Sequence, residues 1–199
     1  MAALIKAASD ASFPAEIVLV VSNRAQAGGL ALAREAGIKV AVVEHARGGE
    51  PEAFERALHA ILQGDGIDLV CLAGFMRLLA PSFVEQWGGR MLNIHPALLP
   101  AFRGLHTHER ALAAGVKIHG ATVHFVVPEM DAGPIVAQAA VPVLEGDTPE
   151  TLAQRILLVE HRIYPLALRL LAEGRIRILD GRCHITGLGS SALLVPDAT

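Results

Sequence analysis

Asn93 and His95 stand one residue apart in Met91-Leu92-Asn93-Ile94-His95. Along a strand alternate side chains share a face, so Asn93 and His95 point one way and Leu92 and Ile94 the other. Pro96 restrains His95 to an extended backbone, and Ala97-Leu98-Leu99-Pro100 continues as an apolar, proline-bounded turn unsuited to a solvated loop. An imidazolium beside an amide donor suits acyl transfer to an amine, because both groups can stabilise the negative oxygen of the tetrahedral centre. Asp131, in the turn Asp131-Ala132-Gly133-Pro134, supplies a carboxylate able to orient the imidazole, favour its charged form and relay a proton. An isolated Asn-x-His or Asp-Ala-Gly is more often structural, so the expectation rests on the three together.

Four further histidines raise a metal site as the alternative: His106 and His108 in Gly104-Leu105-His106-Thr107-His108, then His119 and His124. A divalent ion needs three or more converging ligands. Only Glu109 accompanies the His-Thr-His run, no recognised metal spacing is present, and His119 and His124 fall on opposite faces of a regular strand. The expectation is therefore no metal.

These residues need elements to place them. Strand-length apolar runs at Glu16 to Val21, Ile38 to Val43 and Ile67 to Ala73 alternate with helical patterns at Ala27 to Ala36 and Pro51 to Leu62, with Gly37 and Gly64 as stops. That rhythm predicts a parallel sheet. Met91 to His95, a long strand Val116 to Val127 and its antiparallel neighbour Ile135 to Val143 then extend it. Thr148-Pro149-Glu150 opens a last long helix, with a kink or break near Tyr164 expected from Pro165. Met1 to Ala8 reads as helix and Arg175 to Leu179 as a short strand. The fold class is α/β, with a Rossmann-like parallel sheet extended by antiparallel strands and helices on both faces.

Composition agrees with one domain. In 199 residues, 52% are hydrophobic and 19% charged, which suits a globular chain with a substantial core. A net charge of -3 gives no electrostatic reason to expect nucleic acid or an acidic membrane as partner. Cys71 and Cys183 form neither a metal nor a disulfide spacing, and no signal peptide or membrane-length apolar run is seen, so a cytoplasmic protein with small-molecule substrates is expected.

Taken in order, Leu72-Ala73-Gly74-Phe75-Met76-Arg77-Leu78-Leu79, Asn93 to Pro100, Gly104 to His108, His119 to Val126, Asp131 to Pro134 and Glu160-His161-Arg162-Ile163-Tyr164-Pro165 resemble the phosphoribosylglycinamide formyltransferase family. The resemblance runs from Val18 to Tyr164. It implies a single-domain formyltransferase fold over 1–184; the Gly/Ser-containing stretch 185–199 has little to anchor it and reads as a mobile tail. It also implies transfer of a formyl group from 10-formyltetrahydrofolate, as cosubstrate, to the amine of glycinamide ribonucleotide in purine synthesis. His95 would be the general acid, Asn93 would stabilise the tetrahedral oxygen and Asp131 would maintain the charged imidazole. Met76, Arg77, Leu78 and Leu79 match the segment that holds the pterin, and Asn93 matches a further folate-binding position. Val127, Pro128, Glu129, Met130 and Asp131 match the loop closing over it. Glu160 matches the carboxylate that contacts the ribonucleotide. Where the family places a basic residue near the folate glutamate this chain has Pro51, with Arg47 nearby.

Family members begin with a strand and a glycine-rich turn that cradles the ribonucleotide phosphate, and Met1 falls just after that turn. The expectation is that the sequence starts at an internal methionine, with roughly a dozen or more residues before it. Sister classes that share the Asn, His and Asp logic are methionyl-tRNA formyltransferases and formyltetrahydrofolate hydrolases, which carry additional domains. A folate-binding remnant without turnover is the non-enzyme alternative.

Overall fold

The computed structural model describes residues 1–44 and 51–187; Arg47 and residues 188–199 of the expected tail lie outside them. The chain runs α1 (Ala2–Ala8), β1 (Leu19–Ser22), α2 (Gly28–Glu35), β2 (Lys39–Val42), α3 (Pro51–Gly64), β3 (Val70–Leu72) and α4 (Pro81–Gln86). It continues through β4 (Met91–His95), α5 (Thr107–Ala113), β5 (Ile118–Phe125), β6 (Ile135–Pro142), α6 (Pro149–Ala172), β7 (Ile176–Leu179) and β8 (Arg182–Ile185). β1 pairs with β2 and β3 with β4 in parallel, as strand-helix-strand units require, while β5 and β6 extend the second ladder antiparallel in the order β3-β4-β5-β6. No described ladder joins β1 to β3. A cavity of about 1110 Å³ separates them, lined by Val20, Ser22, Val70 and Leu72 from the strands and by Leu168 and Leu171 from α6.

Strand alternation sorts the core into two. Leu92, Ala121 and Val123 face α6 through Ile156, Val159, Ile163 and Ala167. Met91, Val70 and Leu72 instead meet Leu62 of α3 and Phe83 and Val84 of α4 in a second cluster. Helices therefore lie on both faces, as the sequence predicts. Asn93 and His95 continue the Met91 face of β4.

Helix α6 begins with a reciprocal cap in which Thr148 and Thr151 satisfy each other's backbone amides. Of the kink or break expected near Tyr164, the break does not occur: the helix runs continuously through Pro165. The ring removes one ladder donor, but Ile163, Tyr164, Ala167, Leu168 and Leu170 are all buried around it, and tertiary packing outweighs one lost hydrogen bond. Tyr164 Oη also donates to the carbonyls of Leu72 (2.7 Å) and Leu92 (3.1 Å), fixing the helix against β3 and β4. No helix among the described residues is long and apolar enough to cross a membrane.

Other differences lie at strand ends. The strands expected at Glu16 to Val21, Ile67 to Ala73 and Val116 to Val127 are shorter, at Leu19–Ser22, Val70–Leu72 and Ile118–Phe125. Apolar runs extend past the last ladder bond because the flanking residues still pack. The strand expected near Arg175 belongs to a hairpin, β7–β8, turned by Asp180 (φ 49°) and Gly181 (φ 71°). Two successive positive φ values make the tight turn whose twist matches the strands. Ile185 thus ends β8, and Thr186 N donates to Arg175 O, so ordered pairing runs past His184 into the segment read as tail.

The Asp147 side chain, just before α6, is only 4% exposed. Its oxygens take a two-pronged contact from Arg155 (2.7 and 2.9 Å), the Thr151 hydroxyl and the Leu144 amide. The Arg155 hydrogen bonds hold its carboxyl well below the usual carboxylate range. A depressed folded pKa gives stability that is complete above the unfolded value and is lost as pH falls toward the folded one. Asp147→Asn is therefore expected to lower Tm at neutral pH, with the gap to the parent protein constant above about pH 5 and shrinking below about pH 4. Thermal unfolding across pH 2–8 checks this, and a pH-independent gap contradicts it.

Candidate active site

The β4–β5 register builds the first half of the site. Asn93 lies opposite His124 and His95 opposite Thr122, so four polar side chains share one face. His124 Nδ1 lies 2.8 Å from Phe125 O and its Nε2 3.3 Å from Asn93 Nδ2. Burial, the leading cause, pushes the His124 pKa down. A neutral ring that donates from Nδ1 leaves Nε2 to accept, which orients the Asn93 amide as a donor with one N–H to spare.

His95 is buried, and both ring nitrogens face oxygens: Nε2 is 3.0 Å from the Phe102 carbonyl and Nδ1 is 3.5 Å from Asp131 Oδ2. An imidazolium, with two N–H donors, satisfies both. Asp131 also sits 3.8 Å from His124 Nε2 through Oδ1 and accepts the Gly104 amide at 2.8 Å. The structure thus brings Asn93, His95 and Asp131 to one place, as the sequence predicts.

Asp131 gets there through its turn. It adopts φ 51°, a left-handed conformation that Asp tolerates better than most residues. Two residues on, Gly133 passes so close to β5 that a Cβ would collide with the Phe125 carbonyl. Only a glycine lets the Asp131 turn fold back over the sheet.

The turn after His95 is held by residues that sequence reasoning did not single out. The buried Thr122 hydroxyl donates to Ala97 O (2.7 Å) and accepts from Leu99 N (3.1 Å) and Gln138 Nε2 (2.9 Å). Gln138 Nε2 also reaches Leu99 O at 2.9 Å, and the Leu99-Pro100 peptide is cis. Across the site, Arg103 pairs with Glu129 at 2.7 Å, joining the segment after Pro100 to the loop that carries Asp131.

Met76 to Leu79 follow β3, whose Leu72 lies beside Asn93. Met76 and Leu78 are 74% and 72% exposed, the uncovered apolar surface of this segment, whereas Leu79 packs against the cluster formed by Leu62, Phe83, Val84, Trp87 and Met91. Arg77 lies 4.9 Å over the Phe54 ring. In the opposite loop Val127 is half-buried and Pro128, Glu129 and Met130 are exposed. Glu160, on α6, is partly buried, and that burial pushes its carboxyl up to about 7.

The remaining histidines separate by face. His119 lies with Ala121 and Val123 on the side opposite His124, its ring edge-on to His108 at 6.2 Å, and burial lowers its pKa to about 4. His106 is exposed beside Glu109 (3.4 Å). Among the described residues no group of three or more His, Cys, Asp or Glu is placed to hold a metal ion.

Residues 1–168 match the formyl transferase family model. Phosphoribosylglycinamide formyltransferase of Escherichia coli is 42% identical over 93% of this chain and 87% of its own. The trifunctional purine biosynthetic protein adenosine-3 of Bos taurus is 49% identical over 92% of this chain, which spans only 18% of that longer protein. Among solved structures, glycinamide ribonucleotide transformylase 1 from Symbiobacterium toebii superposes with a TM-score of 0.89 at 49% identity, covering 92% of this chain and 87% of that one.

Proposed function

The chain belongs to the formyl transferase family, and from that premise we propose that it transfers the formyl group of 10-formyltetrahydrofolate to the amine of glycinamide ribonucleotide, in the cytoplasm. The observation that carries this reading is the convergence of Asn93, His95 and Asp131 on one sheet face beside the Met76 to Leu79 segment. The names of relatives that match nearly end to end support the substrates.

In this reading the amine attacks the formyl carbon, the carbonyl π pair moves onto oxygen, and that oxygen meets the spare N–H of Asn93 and the Nε2–H of His95. The place now held by the Phe102 carbonyl marks where an oxygen acceptor satisfies Nε2. Collapse breaks the bond from carbon to the folate nitrogen, which takes a proton as the attacking amine loses one. Asp131 orients the imidazole, and His95 with Asp131 relays the proton from the amine to the folate nitrogen. Met76 to Leu79 and Val127 to Asp131 hold the pterin, largely through backbone groups, and Glu160 contacts the ribonucleotide.

The test follows tetrahydrofolate release with and without glycinamide ribonucleotide. Release that depends on the amine, with formylated ribonucleotide as product, supports the transferase. Amine-independent release of formate supports a hydrolase, and folate binding without release supports a remnant. Because the electrophilic help comes from an imidazolium and an amide, dialysis against a chelator is expected to leave turnover unchanged. Loss of turnover restored by zinc would reassign the histidines as ligands.

A further inference from the structure

Between β3 and α4, residues 73–80 form neither helix nor strand, yet they carry the segment proposed to hold the pterin. Their anchors come from two consecutive residues of α3. Phe54 stacks on Phe75, with ring centroids 6.5 Å apart, and receives Arg77 over its face. Glu55, only 7% exposed, accepts the Ala80 amide through Oε1 at 2.7 Å. The two anchors bracket Met76 to Leu79 from both ends.

A carboxylate is a costly choice for that place. Burying one is unfavourable unless hydrogen bonds compensate, and an apolar side chain would fill the space between helices without that cost. What the carboxylate adds is a short, charge-assisted bond that fixes one backbone amide in space. The exposed tips Met76 and Leu78 have no such tie, so their position depends on where the segment ends at Ala80.

We propose that Glu55 is a positioning residue for reduced-folate binding: by pinning the Ala80 amide it sets the Met76 to Leu79 backbone against which the pterin packs. This rests on the folate-dependent reading above and adds a residue that touches neither substrate nor the reacting atoms. Loss of the tie lets the segment drift, and displacements on the order of an ångström in a positioning element are enough to weaken productive binding substantially.

Three variants of the full chain test it. Glu55→Ala removes the acceptor. Glu55→Gln keeps an oxygen that can accept the same amide. Ala80→Pro removes the donor instead, and Ala80 already has φ -60° and ψ 145°, which proline adopts without strain. Binding of 5-formyltetrahydrofolate is measured by calorimetry, and KM for both substrates by the transfer assay. Glu55→Ala and Ala80→Pro are each expected to weaken folate binding about tenfold, with KM for glycinamide ribonucleotide and kcat at saturating folate within about twofold. Glu55→Gln should recover to within about threefold of the parent, and the double variant should be no worse than either single one, since both cut the same bond.

Folate binding within twofold of the parent in folded Glu55→Ala overturns the proposal, as does equal weakening toward both substrates. If Glu55→Ala does not fold, Ala80→Pro decides by the same two criteria. A parent chain that binds no folate overturns the folate-dependent reading and this role with it, whereas normal parent binding with unaffected variants overturns only the role of Glu55.

Discussion

His95→Ala is expected to slow formyl transfer by about a thousandfold, the middle of the range for losing a general acid, while folding stability falls by only about 1–2 kcal/mol. The asymmetry follows from where the ring sits. Its two nitrogens meet the Phe102 carbonyl and the Asp131 carboxylate, so truncation leaves two acceptors short of one partner each, in a pocket that water can enter once the ring is gone. The transition state loses more, because the oxyanion forms only there and the charged donor has no substitute. Kinetically the loss should fall on kcat, with KM for both substrates changed only a few-fold. Folded His95→Ala with near-parent turnover would remove the imidazole from the chemistry.

Asn93→Ala should follow the same pattern at roughly two to three orders of magnitude, the usual cost of an oxyanion donor. Its amide has an extra dependence. Neutral His124 accepts one of its N–H bonds, so the direction in which Asn93 donates is fixed from across the β4–β5 ladder.

What the sequence made legible was local. A period of two placed Asn93 and His95 on one face, and the same period put His119 opposite His124. The Asp131-Ala132-Gly133-Pro134 turn was recognisable from its residue types, and the close approach at Gly133 gives the physical reason for its glycine. Less legible were contacts set by register between distant segments. Thr122 and Gln138 meet because β5 and β6 pair residue 122 with 138, and nothing near either marks it as a clamp on the turn after His95. The Glu55 tie spans 25 positions and ends on a backbone amide, which leaves no mark in residue type. Pro165 does not break α6, because the local rule for proline ignores the buried residues that hold the helix together around it. Asp180-Gly181 is the opposite case: its residue types are a strong hairpin signal, yet the returning strand is only Arg182–Ile185, too short for its alternation to stand out.

Asp131 combines three tasks in one side chain, and two substitutions separate them. Asp131→Ala removes the carboxylate beside His95, the acceptor for the Gly104 amide and the polar group that makes φ 51° tolerable. An alanine in that left-handed conformation costs roughly 1–2 kcal/mol in the backbone alone, so part of any lost activity reflects a displaced turn. Asp131→Asn removes less. Asn tolerates the same φ, and its amide oxygen can still accept from Gly104, so the turn should stay closed and Tm should remain near that of the parent. The amide carries no charge to hold the imidazolium, however, and cannot take part in proton relay. Both variants are therefore expected to lose about a hundred- to a thousandfold in kcat, with the stability loss confined to Asp131→Ala. The Arg103–Glu129 contact still joins the two loops in each, which keeps the comparison from turning on wholesale loop opening. If Asp131→Asn turned over near the parent rate while Asp131→Ala did not, the carboxylate would be a structural hook for Gly104 and its charge irrelevant to the transfer.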